Sequence, residues 1–206
     1  MGAILRVNPA QLNRAAVERA AAAIRGGEVV AIPTDTIYGL AADPFQREAV
    51  RRIFRLKGRP ESKPILLLVA SLRQVEQLAS RLPEAFERIA ARFWPGPLTV
   101  ILPAAPAVPE WITAGTGTVA VRLPGSILVR ELIRAARVPL TGTSANRSGR
   151  PAAESAAAVR REFPRGLAMI LDAGPARCRA PSTLVDLTGA EPRVVREGAI
   201  PAADLV

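Results

Sequence analysis

The feature that most constrains the fold is the regular alternation of helix-like and strand-like segments along all 206 residues. With no internal repeat, linker or low-complexity tract to interrupt it, this alternation predicts a single α/β domain with a mixed sheet rather than a bundle or a sandwich. An opening helix is expected from about Pro9 to Arg25, stopped by Gly26-Gly27. Val29 to Pro33 reads as a buried strand. A second helix, about Gln46 to Leu56, places Val50, Ile53 and Phe54 on one face. Further strands are expected near Ile65 to Val69, Leu98 to Leu102, Thr118 to Leu123, Leu140 to Thr143, Ala168 to Asp172, Thr183 to Leu187 and Arg193 to Arg196. Helices are expected near Leu72 to Ala79, Glu84 to Phe93, Ile127 to Ala136 and Glu154 to Phe163. Trp94-Pro95-Gly96-Pro97 reads as a tight corner with an aromatic packed beside it, and Ala104 to Pro109 as a Pro/Ala loop with freedom to move.

Composition removes several chemistries. Histidine is absent, which excludes Ser-His-Asp and Cys-His catalysis and histidine-ligated metals. Cys178 is the only cysteine, so an intrachain disulfide or a cysteine zinc cluster is impossible, and the thiol reads as structural or incidental. Met1 to Arg6 lacks a signal-peptide apolar core, Arg6 breaks the myristoylation pattern, and no uncharged apolar run approaches membrane-spanning length. A cytoplasmic protein without a membrane partner is the expectation. The net charge of +10 points to anionic partners: nucleotides, RNA or acidic membranes.

The basic residues are distributed unevenly. Only two of the 28 are lysines, and both fall inside Lys57-Gly58-Arg59-Pro60-Glu61-Ser62-Lys63-Pro64. Two ammonium groups flanking an arginine in a Gly/Pro loop suit a polyphosphate pocket; a solvated basic loop is the alternative. No Walker A loop, dinucleotide fingerprint or G-x-S-x-G elbow is present. Small polar groups instead gather at four strand-to-loop junctions: Pro33 to Leu40, the lysine loop, Thr141 to Gly149, and Pro181-Ser182-Thr183. In α/β sheets such junctions are where ligands bind.

These strings, in this order, resemble the threonylcarbamoyl-AMP synthases of the Sua5/YciO/YrdC group. The resemblance covers nearly the whole chain: Pro33-Thr34-Asp35-Thr36-Ile37-Tyr38-Gly39-Leu40, Lys57-Gly58-Arg59-Pro60 with Lys63-Pro64, Trp94-Pro95-Gly96-Pro97-Leu98-Thr99, Thr118-Val119-Ala120-Val121-Arg122, Ser144-Ala145-Asn146 with Ser148-Gly149, Ser182-Thr183-Leu184-Val185-Asp186, and Arg196 before Gly198. It implies a twisted, open α/β sheet around a large basic cavity. It also implies an enzyme, a nucleotidyltransferase that joins L-threonine, bicarbonate or CO2, and ATP into threonylcarbamoyl-AMP and pyrophosphate. That product would supply a downstream threonylcarbamoyl-transferase complex that modifies an adenosine in tRNA.

The resemblance assigns roles by position. Lys57, Arg59 and Lys63, with Mg2+ brought by ATP, are expected to stabilise charge on the departing pyrophosphate. Arg122 is expected to grip the threonine carboxylate, with Thr34 and Ser182 bonding the threonine or its carbamate. Thr118, Ser144, Asn146 and Arg196 are expected to contact the nucleotide. No protein group is expected to ligate metal or act as a nucleophile. For Thr36, Ser148 and Thr183 a site role and simple turn chemistry are equally open, and Asp35 is a conceivable base.

The chain ends at Val206, soon after the last matched segment, whereas longer Sua5 members carry a linked C-terminal domain that helps cover the site. The short, single-domain form is therefore expected, closed by its own loops. Two other readings compete: a non-catalytic RNA-binding factor of the same fold, a ribosome or tRNA factor that cradles RNA on its basic cavity and surface, and a carbamoyl-phosphate-using transfer domain. Sparse aromatics oppose the first and the single cysteine opposes the second.

Overall fold

A computed structural model of the chain describes residues 2–8, 13–176, 178 and 180–205. The strands are β1 (Ala3–Arg6), β2 (Val30–Pro33), β3 (Tyr38–Ala41), β4 (Leu67–Leu68), β5 (Leu98–Pro103), β6 (Thr118–Arg122), β7 (Leu140–Thr141), β8 (Thr143–Ser144), β9 (Met169–Asp172), β10 (Thr183–Asp186) and β11 (Arg193–Arg196). The helices are α1 (Arg14–Arg25), α2 (Arg47–Lys57), α3 (Leu72–Leu78), α4 (Glu84–Phe93), α5 (Glu110–Thr113), α6 (Ile127–Ala136) and α7 (Ala156–Glu162).

The fold is α/β and mixed, with the strands divided between two sheets. The five-stranded sheet has the order β1-β9-β2-β3-β8 and the six-stranded sheet β11-β10-β5-β6-β4-β7. Gly142 is where the chain leaves one sheet for the other, splitting the single strand expected over Leu140 to Thr143. A Cβ there would stand 2.7 Å from Leu68 Cγ, so the crossing needs a residue without a side chain. Thr141 stitches the two sheets: its buried hydroxyl accepts from Ala42 N at 2.9 Å and donates to Leu40 O at 3.1 Å.

Two apolar layers hold the sheets. The alanine-rich face of α1 (Ala16, Val17, Ala20, Ala21, Ile24) lies in one cluster with Leu128, Val129, Leu132, Ile133 and Ala136 of α6. Asn13 caps α1 by accepting from Ala16 N at 3.1 Å, and Ser126 caps α6. Of the opening helix expected from the sequence, positions 9–12 lie outside the described residues. A second cluster joins Val50, Ile53 and Phe54 of α2 to Phe86 and Ile89 of α4 and to β5 and β6. Burial of each such large side chain contributes about 1.5–3 kcal/mol.

The corner before β5 has a cis Trp94–Pro95 peptide, and the Trp94 ring meets Phe86 edge-on at 5.6 Å. Residues 104–109 are fastened on both sides, with Ala104 N donating to Gly117 O and Ala105 N to Leu78 O. Among the described residues no helix is long and apolar enough to cross a membrane.

Candidate active site

A cavity of about 370 Å3 opens between the two sheets. Its walls come from the β2–β3 turn, the loop after α2, β5, β6, the β7–β8 crossing, and the start of β10 with β11. Four cations line it, Arg59, Lys63, Arg122 and Arg196, and no carboxylate does so among the described residues. Hydroxyls of Thr34, Thr36, Thr99, Thr143, Ser144 and Ser182 complete the polar lining. Such a cavity suits a multiply charged anion carrying further hydrogen-bonding groups.

Arg122, at the end of β6, is the most constrained of the four and only 3% exposed. Its Nε donates to Gly96 O at 2.9 Å and its Nη1 to Thr36 Oγ1 at 3.0 Å. Its Nη2 lies 2.7 Å from Asp35 Oδ1, an ion pair without hydrogen-bond alignment, and neither atom has a hydrogen-bond partner. Burial depresses the arginine's pKa, and Asp35 opposes that shift. The Trp-Pro-Gly-Pro corner therefore does more than turn the chain, because its Gly96 carbonyl orients the guanidinium.

Arg196 donates to Ser182 O at 2.8 Å, and its pKa is lowered by burial and by the charge of Arg122. The Ser182 hydroxyl meets Thr99 Oγ1 at 2.7 Å. Thr34 Oγ1 donates to Ile37 O at 2.6 Å and sits 2.9 Å from Thr36 Oγ1, closing the turn that presents Asp35 to Arg122. Arg59 donates to Pro64 O at 2.9 Å, while its buried Nε has no partner. Burial lowers its pKa also.

Of the residues singled out in the sequence, Thr34, Arg59, Lys63, Arg122, Ser144, Ser182 and Arg196 line this one cavity. Lys57, Thr118 and Asn146 do not. Thr118 opens β6 at the end opposite Arg122 and pairs with Thr116 Oγ1 at 2.9 Å. Asn146 donates to Arg147 O at 3.0 Å and Arg150 O at 2.5 Å. Lys57 is buried, its ammonium donating to Ser144 O at 2.5 Å and Asn146 O at 2.7 Å. Thr99 and Thr143 went unassigned from sequence. Thr99 follows the Trp-Pro-Gly-Pro corner, which reads as structural in the sequence, and the fold is what sets it in the cavity wall beside Ser182.

The family model described as "Telomere recombination", covering Sua5, YciO and YrdC, matches residues 22–198. The chain is 44% identical over 186 residues to a protein of Pyrococcus abyssi (strain GE5 / Orsay) named threonylcarbamoyl-AMP synthase, covering 90% of this chain and 55% of that one. It is 40% identical over 185 residues to a Bacillus subtilis (strain 168) protein of the same name, covering 89% and 54%. The chain thus spans little more than half the length of these two relatives. The crystal structure of P. abyssi Sua5 complexed with L-threonine superposes with a TM-score of 0.94 at 41% identity, covering 98% of this chain and 59% of that one. With its cavity, its motifs and these matches in agreement, the chain belongs to the Sua5/YciO/YrdC family.

Proposed function

We propose that this chain is a nucleotidyltransferase that forms threonylcarbamoyl-AMP and pyrophosphate from L-threonine, bicarbonate or CO2, and ATP. The observation that carries the reading is one cavity lined, among the described residues, by four cations and no carboxylate, with a fixed guanidinium among them. Two relatives bear the synthase name, and a Sua5 structure of the same fold holds L-threonine.

Mg2+ enters with ATP as part of the substrate. Arg59 and Lys63 are assigned to the triphosphate, with Ser144 and Arg196 completing the nucleotide's surroundings. Arg122 is assigned to the threonine carboxylate: Gly96 and Thr36 accept from two of its five N–H groups and Asp35 balances its charge, which leaves one N–H on Nη1 and two on Nη2 without a hydrogen-bond partner. Thr34 and Ser182 face the amino acid's hydroxyl or its carbamate.

The threonine amine adds to CO2 and loses a proton to give the carbamate. A carbamate oxygen then attacks the α-phosphorus, and the P–O bond to pyrophosphate breaks. No protein nucleophile takes part. The protein's contribution is alignment, exclusion of water from a labile carbamate, and charge on the departing pyrophosphate. The product would pass to a separate transferase acting on tRNA.

The test mixes protein with ATP, Mg2+, L-threonine and labelled bicarbonate, omitting each reactant in turn. An acid-labile labelled adenylate and pyrophosphate are expected only from the full mixture, with no tRNA needed. Folded, ATP-binding protein that releases no pyrophosphate in response to threonine would overturn the assignment. Adenylate formed from carbamoyl phosphate without threonine would indicate the carbamoyl-transfer chemistry instead.

A further inference from the structure

Lys57 ends α2, where Gly58 turns the chain in a left-handed conformation at φ 58°. Its side chain is 3% exposed and lies outside the cavity lining. The ammonium donates at once to the carbonyls of Ser144 and Asn146, while the Lys57 carbonyl accepts from Ser148 N at 2.8 Å. One residue thus holds three points of a five-residue segment, the segment that leaves the two-residue strand β8 and carries Ser144 to the cavity wall.

The loop is held from its other side by α7. Glu162 accepts from Arg147 N at 3.1 Å and lies 4.0 Å from the Arg147 and 3.8 Å from the Arg150 guanidinium groups. Two backbone carbonyls converging in a buried space need donors at a single point. An ammonium supplies up to three from one atom, whereas a guanidinium spreads its five over a rigid fork. That requirement explains a lysine here in a chain whose basic residues are otherwise almost all arginine.

We propose that Lys57 is a positioning residue, which fixes the 144–148 loop and through it Ser144, and does not ligate the phosphates. The claim about the loop stands on this geometry alone; the claim about phosphates rests on the proposed ATP site. The two are tested separately.

The first test is backbone hydrogen exchange of the full unliganded chain. Lys57→Met should speed exchange across residues 145–150 on the order of tenfold, the opening expected when a charge-assisted hydrogen bond is lost. Arg59→Ala and Lys63→Ala should leave that segment unchanged. If Lys57→Met does not fold, Lys57→Gln, which keeps a donor, serves in its place. Unaltered protection of 145–150 in the folded variant overturns the proposal.

The second test uses the fact that the chain has only two lysines, so 15N-lysine labelling yields two side-chain signals. On addition of Mg2+-pyrophosphate the Lys63 signal should move, and the Lys57 signal less than half as far. Equal movement of both would overturn the proposal. Movement of neither would count against the polyphosphate reading of the cavity, leaving the exchange result to decide the role of Lys57.

Discussion

Asp35 Oδ1 and Arg122 Nη2 lie 2.7 Å apart beneath the cavity, with side chains 20% and 4% exposed. This is a nearly buried ion pair whose cation also faces a ligand space. The acidic residue in the Thr-Asp-Thr turn thus neutralises and aims an arginine, whatever else it does. Asp35→Asn keeps the shape and removes the charge, leaving a buried guanidinium without its counter-ion. The expected loss is about 3 kcal/mol of folding stability, read by urea unfolding. In the double variant Asp35→Asn/Arg122→Met the losses should fall well short of additive, and strict additivity would show that the pair is not coupled.

Arg122→Lys should not behave as a conservative change. An ammonium cannot hold Gly96 O, Thr36 Oγ1 and Asp35 together and still present two parallel donors to a carboxylate. Calorimetric titration with L-threonine should show affinity lowered at least about tenfold, with ATP affinity little altered. Retention of full threonine affinity would place the carboxylate elsewhere.

Lys57 gives a pH dependence whose sign follows from its burial. Desolvation, aided by the charge of Arg59 and opposed by Glu162, pushes its pKa down to about 8 from an ordinary 10.5. Between those values the unfolded chain binds the extra proton, so stability rises with pH across this window and is lost as pH falls through about 8. The full difference is about 3 kcal/mol. Tyr38, pushed up to about 12 chiefly by burial, contributes stability that is lost only as pH rises from its unfolded value toward 12. Comparison at about pH 7 and about pH 9.5 therefore isolates the lysine. Urea midpoints of wild type should gain over those of Lys57→Met between the two, and parallel pH profiles would refute the burial of a charged lysine.

The amphipathic helices were legible in the sequence because their apolar spacing and punctuation agree. Glu84–Phe93 and Ile127–Ala136 have the bounds that periodicity predicts. Strand β3 was not, because Tyr-Gly-Leu-Ala is buried throughout and so has no alternation to read. Strand β1 was missed as well: it is an edge strand held by parallel pairing to β9, a long-range contact with no local signal. The crossing between the two sheets falls at Gly142, where a Cβ would meet Leu68, a long-range approach that sequence order does not encode.

The polar loops that wall the cavity were equally legible, since small polar residues after strands carry their own turn chemistry. What the sequence could not distinguish was Lys57 from Lys63. They sit six positions apart in one loop region, and only the fold sends one to two carbonyls and the other to the cavity wall.

Thr183 supports the site from behind. Its fully buried hydroxyl accepts from Gly198 N and Ile200 N, each at 2.9 Å, and donates to Ile200 O at 2.6 Å. The segment it holds follows Arg196 directly. Gly198 is packed so closely that a Cβ would stand 2.2 Å from Pro181 O. Thr183→Val keeps the volume and strands three backbone groups, at a cost of about 3 kcal/mol in urea unfolding. Thr183→Ser keeps the hydroxyl and should lose only about 1 kcal/mol for the missing methyl. Equal losses in the two variants would deny the hydrogen-bonded role.

Arg59 should show the opposite pattern, function lost with stability kept. Its Nε is buried without a partner and burial already depresses its pKa, so the unliganded protein has little to lose when the side chain is removed. Its remaining bond, to Pro64 O, lies within its own exposed loop. A bound triphosphate would supply the missing acceptor. Arg59→Ala should therefore change unfolding stability by less than about 1 kcal/mol while weakening ATP at least about tenfold, one charge-assisted contact at about 1.5–3 kcal/mol. The weakening should shrink as salt is raised, because the contact is partly exposed and screened. A variant that loses stability yet keeps ATP affinity would mean that Arg59 holds its loop and not the nucleotide, and the triphosphate assignment would then rest on Lys63 alone.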